Sequence, residues 1–286
     1  MGIADRCMIV NLSVGVWEGR KLDKNASAQL NSEANASGDV GRVSKSLLPK
    51  EATADLFSAR SALRTHVAAH TLPWRDDGQR ILMRNMYPVF MSKYGLLERK
   101  FNDAVKDFLD NKYPAAVDKA SFRMGELFNP ADYPMIGEIE RKFYVSLEID
   151  AIAEPDDFRV NLGAEEIQKV RDQMEENISK RLHSAMRDVW LRLADVLQHY
   201  MEKMQDRDAV FRDTTVTNLV DMINIMPGLN VMGDPNLKAI RQRLMETVYG
   251  YDPSDLRKNP EVRAQAAGEA QEIVERMRGF MTAMSQ

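Results

Sequence analysis

From Ala164 to Asp206 the chain runs without a glycine or a proline. Its apolar residues fall at Ile167, Val170, Met174, Ile178, Leu182, Met186, Val189, Leu193, Val196, Tyr200 and Met204. The mean step is about 3.7 residues, close to the 3.6 of an α-helix and longer than the 3.5 of a strict heptad. At 1.5 Å per residue the predicted helix is about 65 Å long. Glu165 with Lys169, Glu176 with Lys180 and Asp188 with Arg192 are i,i+4 pairs in the favourable order, each worth about 0.2–0.5 kcal/mol. A stripe of this length needs a cover, supplied either by other helices or by a second copy of the chain. Ile178, Leu182, Met186, Val189, Leu193 and Tyr200 are the expected partner or oligomer face, in a coiled-coil-like arrangement.

The 286 residues suffice for one large domain or two, and 44% hydrophobic with 29% charged residues describes a globular chain. Eighteen methionines suit irregular cores and adaptable contact surfaces alike. A formal net charge of −4 provides no global attraction for nucleic acid or anionic membrane. Cys7, the sole cysteine, excludes an internal disulfide and a cysteine-based zinc site and fits a reducing compartment. No apolar run approaches 18 residues, and the opening residues lack the pattern of a signal peptide. The Met-Gly start is not a myristoylation signal, because Arg6 occupies the Ser/Thr position. The expectation is a soluble, cytoplasmic protein with no membrane partner.

Cys7 to Trp17 reads as a strand, with Val10, Leu12, Val14 and Val16 alternating with Asn11, Ser13 and Gly15. Asn25–Ser46, rich in Ala, Asn and Ser, reads as a weakly packed helix or loop. Helices are expected over Ala52–His70, from Pro88 to Lys112, over Ala115–Phe128 with Tyr113-Pro114 as an interruption, and near Ile136–Arg141. Arg80–Met86 is a short candidate strand, and Phe143–Ile152 alternates cleanly. Glu154-Pro155-Asp156-Asp157 is expected to turn that strand into an antiparallel hairpin with Phe158–Leu162. Beyond Asp206, helices are expected at Thr217–Ile225, ended by Pro227-Gly228, at Pro235–Thr247 and at Glu261–Met284, with Tyr251–Pro260 as a turn-rich connector. The predicted fold is α+β and mainly α: long helical hairpins on a small antiparallel sheet. The expected division is an N-terminal α+β region, 1–163, and a C-terminal helical region, 164–286.

Catalytic signals are sparse. His66 and His70 share a helix face and offer two metal ligands, but Val67 stands where a zinc-protease motif has Glu. Glu148, Asp150, Glu154, Asp156 and Asp157 gather around the predicted hairpin, and convergent carboxylates can hold Mg²⁺ for phosphoryl chemistry. Pro155-Asp156 matches the start of a restriction-type nuclease motif; the required Glu-x-Lys is missing from Phe158–Leu162, and a solvated sheet face with an acidic turn explains the same residues. No phosphate-binding glycine loop or nucleophile elbow is present. Neither a cofactor nor a resident metal is expected. From Gly78 to Lys100, Arg80, Arg84, Lys93, Arg99 and Lys100 outnumber the single acid Glu98, with Tyr87, Phe90 and Tyr94 interleaved. Single-strand binders combine cations and aromatic faces in this way. The same residues also fit one amphipathic helix with a wet basic side.

Val10-Asn11-Leu12-Ser13-Val14-Gly15-Val16-Trp17-Glu18-Gly19-Arg20-Lys21-Leu22 is similar to the opening of a family of uncharacterised bacteriophage proteins, in which a strand ends in Trp-x-Gly followed by basic residues. The helices after it, with Leu72-Pro73-Trp74, resemble a second block of that family. The genes of that family often lie near a MoxR-type AAA+ ATPase and a von Willebrand A-like protein. The resemblance therefore implies an accessory or adaptor role in the host cytoplasm, with an AAA+ ATPase as partner, and it transfers no functional residue. The leading expectation is a non-enzymatic scaffold or adaptor that self-associates or docks a partner ATPase. The alternatives are a nucleic-acid-binding accessory of phage recombination or replication, using Arg80, Arg84, Tyr87, Lys93, Arg99 and Lys100, and a metal-dependent nuclease at the acidic hairpin.

Overall fold

The computed structural model of the chain describes residues 2–160, 163–205, 213–251 and 253–283. In chain order the elements are β1 (Cys7–Gly15), β2 (Arg20–Asp23), α1 (Lys24–Glu33), β3 (Val43–Ser46), α2 (Lys50–His70), β4 (Leu72–Pro73), β5 (Arg80–Met83) and α3 (Tyr87–Asp107). There follow α4 (Tyr113–Asp118), α5 (Ala120–Met124), α6 (Ile136–Glu140), β6 (Tyr144–Asp150), α7 (Ala164–Gln205), α8 (Asp213–Leu229), α9 (Pro235–Tyr249), α10 (Pro253–Lys258) and α11 (Pro260–Ala283). The protein is α+β and mainly α, with a small sheet in the order β4-β5-β1-β6 and a separate β2–β3 hairpin.

The contacts divide the chain differently from the expected break at residues 163 and 164. One compact unit comprises 1–11, 68–90 and 148–286, and the other 12–67 and 91–147. The reason lies in the apolar residues. Cys7, Ile9, Leu72, Trp74 and Ile81 belong to the same core as α7 and the helices after it, so the first strands join the C-terminal helices.

In the first unit β5 pairs antiparallel with both β1 (Cys7↔Met83, Ile9↔Ile81) and β4 (Leu72↔Ile81). Above this ribbon α7 packs against α8 and α11, and α9 packs against those two. Ala266, Ala270, Ile273 and Met277 of α11 repeat at helical spacing and are buried; the small alanines admit the bulk of Trp190, whose ring lies 6.0 Å from that of Phe280. Helix α8 does not stop at Pro227 as expected but runs on to Leu229. Proline removes the N–H that would bond to the Ile223 carbonyl. Arg241 Nε on α9 donates to that carbonyl at 2.9 Å, so the orphan acceptor becomes an interhelical tie. Asn230 bonds to both the backbone N–H (2.7 Å) and the carbonyl (3.0 Å) of Asp234, and the Asp234 carboxylate caps α9 through the Asn236 N–H.

The second unit has two cores. Trp17, Leu47, Leu56, Phe108, Tyr113 and Ile139 form one, and Val14, Leu63, Tyr94, Leu97 and Phe101 the other. The hairpin of β2 and β3 is a departure from the sequence reading, which saw only a weak helix or loop there; α1 fills the first third of that stretch. Asp132, its side chain 3% exposed, pins the hairpin through Lys21 (2.6 Å) and Lys45 (2.5 Å). Burial opposes that carboxylate's charge, but the two lysines outweigh it and hold its pKa below the usual carboxylate range. Tyr113-Pro114 does not interrupt the helix either. A π-helical turn over Phe108–Lys112 carries the chain from α3 into α4, where Pro114 sits in the first turn and its missing N–H is harmless.

The expected hairpin partner of β6 is absent among the described residues. Residues 158–160 have no regular structure, and 161–162 lie outside the described set. Instead, β6 is the outer neighbour of β1. The acidic turn is a short 3₁₀ segment, Pro155–Asp157, in which the Asp157 carboxylate accepts from the Glu154 N–H at 2.9 Å.

Candidate functional site

Helix α7 starts with Glu165 and Glu166 in its first turn, the placement that suits the positive end of the helix dipole. The three expected i,i+4 pairs form: Lys169–Glu165 at 2.7 Å, Lys180–Glu176 at 2.5 Å and Arg192–Asp188 at 2.6 Å. Burial along the helix changes abruptly. None of residues 164–184 is buried, whereas Ala185, Met186, Val189, Trp190, Leu193, Leu197, Tyr200, Met201 and Met204 all are.

The expected partner face therefore splits. Met186, Val189, Leu193 and Tyr200 lie in the chain's own core and cannot serve as an open docking face, because α8 and α11 pack over that half of the helix. Ile178 and Leu182 remain half-buried, and with Ile3 and Pro155 they floor an open cleft of about 440 Å³ whose rim carries Gln168, Arg171, Glu175 and Asp156. Arg171 reaches Asp156 at 3.6 Å, bracing the acidic turn against the helix.

Two more clefts follow along the same half of α7. One of about 280 Å³ is lined by Ile9, Trp74, Arg75, Gln79, Asp150, Ile152, Met174, Asn177, Ile178 and Arg181, with Ala151 and Ala153. Its neighbour, about 360 Å³, is lined by Pro73, Trp74, Arg75, Asp76, Lys180, Arg181 and Ser184. Trp74, Arg75 and Arg181 are common to both. The Arg181 guanidinium sits 5.6 Å from the centre of the Trp74 ring, a cation–π distance. Burial, and then the like charge of Arg75, push the Arg181 pKa below its usual value, while Asp77 pulls the other way.

The basic stretch behaves differently at each position. Arg80 is committed to structure: Nε donates to Thr71 Oγ1 (2.6 Å) and Nη2 to the Thr71 carbonyl (2.9 Å) at the end of α2. Arg192 caps the same helix end through the Ala68 carbonyl at 2.7 Å. Arg84, Tyr87, Lys93, Arg99 and Lys100 are exposed. On α3, Lys93 and Lys100 are seven residues apart and share a side, which Tyr87 does not. Phe90 and Tyr94 are buried core residues.

His66 is buried and His70 packs edge-on to Phe90 at 6.4 Å. Glu148, Asp150, Asp156 and Asp157 are exposed, and among the described residues no group of three or more His, Cys, Asp or Glu is placed to hold a metal ion. No described helix is long and apolar enough to cross a membrane.

Sequence reasoning missed Trp74, Arg75, Gln79 and Arg181 as neighbours. Asp76-Asp77-Gly78 carries the composition of a turn, and Gly78 adopts φ +95° there. Nothing in the spacing says that this turn meets α7 a hundred residues later. What fold and site define together is a mainly helical α+β protein with one long helix, half core and half lined by clefts. No protein-family model matches the chain, and neither the curated proteins nor the solved structures contain a match.

Proposed function

We propose that this chain is a non-enzymatic helical adaptor that docks protein through residues 164–184 of α7, and that the first occupant of this surface is a second copy of the chain. The supporting observation is the change at Ala185. A helix in a protein draws most of its stability from packing of its apolar face, yet about 31 Å of α7 has no buried residue while the rest of the same helix is core.

Charge supports self-pairing. Over 164–176, Glu165, Glu166, Asp172, Glu175 and Glu176 outnumber Lys169 and Arg171, a net of −3; over 177–184, Lys180 and Arg181 stand in a segment that holds no acid, a net of +2. Two antiparallel copies related by a two-fold axis place each acidic segment against a basic one. The bacteriophage-type resemblance adds an AAA+ ATPase as the second protein such an adaptor docks.

Sedimentation velocity on the full chain tests this reading. The expected result is a reversible dimer at low salt that weakens as salt rises. Leu182→Asp, and separately the reversal of Glu165 and Glu166 to Lys, should each give a monomer that still melts cooperatively. A wild-type monomer at every concentration and salt, or a dimer untouched by both variants, overturns it.

A further inference from the structure

We propose that the paired clefts between the Trp74–Gln79 turn and α7 bind a zwitterionic amino acid with an apolar side chain. Three observations converge on that chemistry, and all concern one compact unit. Firstly, Arg75 and Arg181 line both clefts, and among the described residues neither has a carboxylate within ion-pair distance. Asp76 lines one of the clefts and Asp77 acts on Arg181 from a distance, but neither pairs with an arginine, so both guanidinium groups stay open to a planar carboxylate, which a guanidinium can grip with two parallel N–H donors.

The acceptor end is built as firmly. Gln79 Oε1 is buried and has no hydrogen-bond partner. Its backbone is fixed, since the Gln79 carbonyl accepts from the Trp74 and Arg75 N–H groups (2.9 and 3.2 Å) and its N–H donates to Asp77 Oδ1 (3.1 Å). A buried acceptor left unpaired costs about 1–3 kcal/mol, so an arriving N–H donor is favoured. The exposed carboxylate of Asp150 lines the same cleft. An ammonium satisfies both acceptors, which an anion without a cationic donor does not.

The same cleft, of about 280 Å³, is also lined by the apolar side chains of Ile9, Trp74, Ile152 and Ile178. The structure thus assigns the ligand's carboxylate to Arg75 and Arg181, its ammonium to Gln79 Oε1 and Asp150, and its side chain to the isoleucine and tryptophan walls. Arg181 belongs to the docking surface as well as to both clefts, so the readings are told apart at residues they do not share: Leu182 lines neither cleft, and Arg75, Gln79 and Asp150 lie off α7.

Titration calorimetry of the full chain with L-leucine and L-phenylalanine tests the assignment, with N-acetyl-leucine (no ammonium) and leucinamide (no carboxylate) as controls. At least one amino acid should bind saturably, and each blocked analogue should bind about tenfold or more weaker. Arg181→Gln and Arg75→Gln should each weaken binding about tenfold. Gln79→Leu should weaken it without lowering the melting temperature. If an arginine variant fails to fold, Asp150→Asn at the exposed rim replaces it; it should weaken leucine and leave N-acetyl-leucine unchanged. Leu182→Asp should bind as the wild type does. Absence of saturable heat to the order of 10 mM for both amino acids overturns the proposal. So does a blocked analogue that binds as well as its parent, or binding indifferent to the Arg75, Arg181 and Asp150 variants.

Discussion

The two halves of α7 share one continuous helix and one apolar period, yet they live in different environments. From Ala185 onward the stripe is sealed by the later helices α8 and α11; before it, the same stripe lies half-covered between clefts. Periodicity specifies which side of a helix is apolar, and only the rest of the chain decides where along its length that side is closed. The difference makes one half a stability element and the other a surface, and substitutions can be ranked by which half they touch.

The largest effect is expected at Leu193, fully buried in the sealed half. Leu193→Ala should destabilise by about 2–5 kcal/mol through transfer and cavity terms. Leu193→Asp, which buries a charge without a partner, should abolish the cooperative transition in a urea titration read by circular dichroism. Next comes the tie that covers this half. Arg241→Met should leave the Ile223 carbonyl opposite Pro227 without its donor and cost about 1–3 kcal/mol in the same titration.

A third test uses alkaline pH. Burial, and then the charges of Tyr251 and Glu269, raise the Tyr200 pKa to about 12. Its unfolded value is about 10. The folded chain therefore keeps a proton that the unfolded chain releases, so this stabilisation is complete below pH about 10 and is lost as pH climbs towards 12. Stability should fall over that window, and Tyr200→Phe should flatten the fall; a fall of equal steepness in the variant would assign it elsewhere, Tyr251 included. The smallest effect belongs to the open half. Lys169→Ala removes one exposed i,i+4 pair and should cost no more than about 0.5 kcal/mol, with the melting transition almost unmoved.

The sequence carried the helices well, because their caps, prolines and periods are local. Ala164–Gln205 is one residue from its expected end, and the three predicted charge pairs are present. Where local signals failed, a distant group had intervened. Pro227 stays inside a helix because Arg241 satisfies the freed carbonyl; Arg20–Asp23 forms a strand because Val43–Ser46 lies opposite. The site was legible only in fragments. Ile178 and Leu182 were visible as apolar helix positions, and their exposure was not, since it depends on where α8 and α11 end. Arg80 read as a surface cation although it closes α2, because a hydrogen bond to Thr71 leaves no trace in composition.

The interleaved make-up of the first unit has a consequence for synthesis. Its strands at 7–11 and 72–83 leave the ribosome well before Met186, Leu193 or Ile273 exist to cover them. At about 5–20 residues per second, the gap between Ile81 and Met186 lasts on the order of five seconds or more. Throughout that interval Ile9, Leu72, Trp74 and Ile81 have no native cover. A nascent chain paused after residue 147 should therefore be captured by holdase chaperones, and one paused after residue 283 should not.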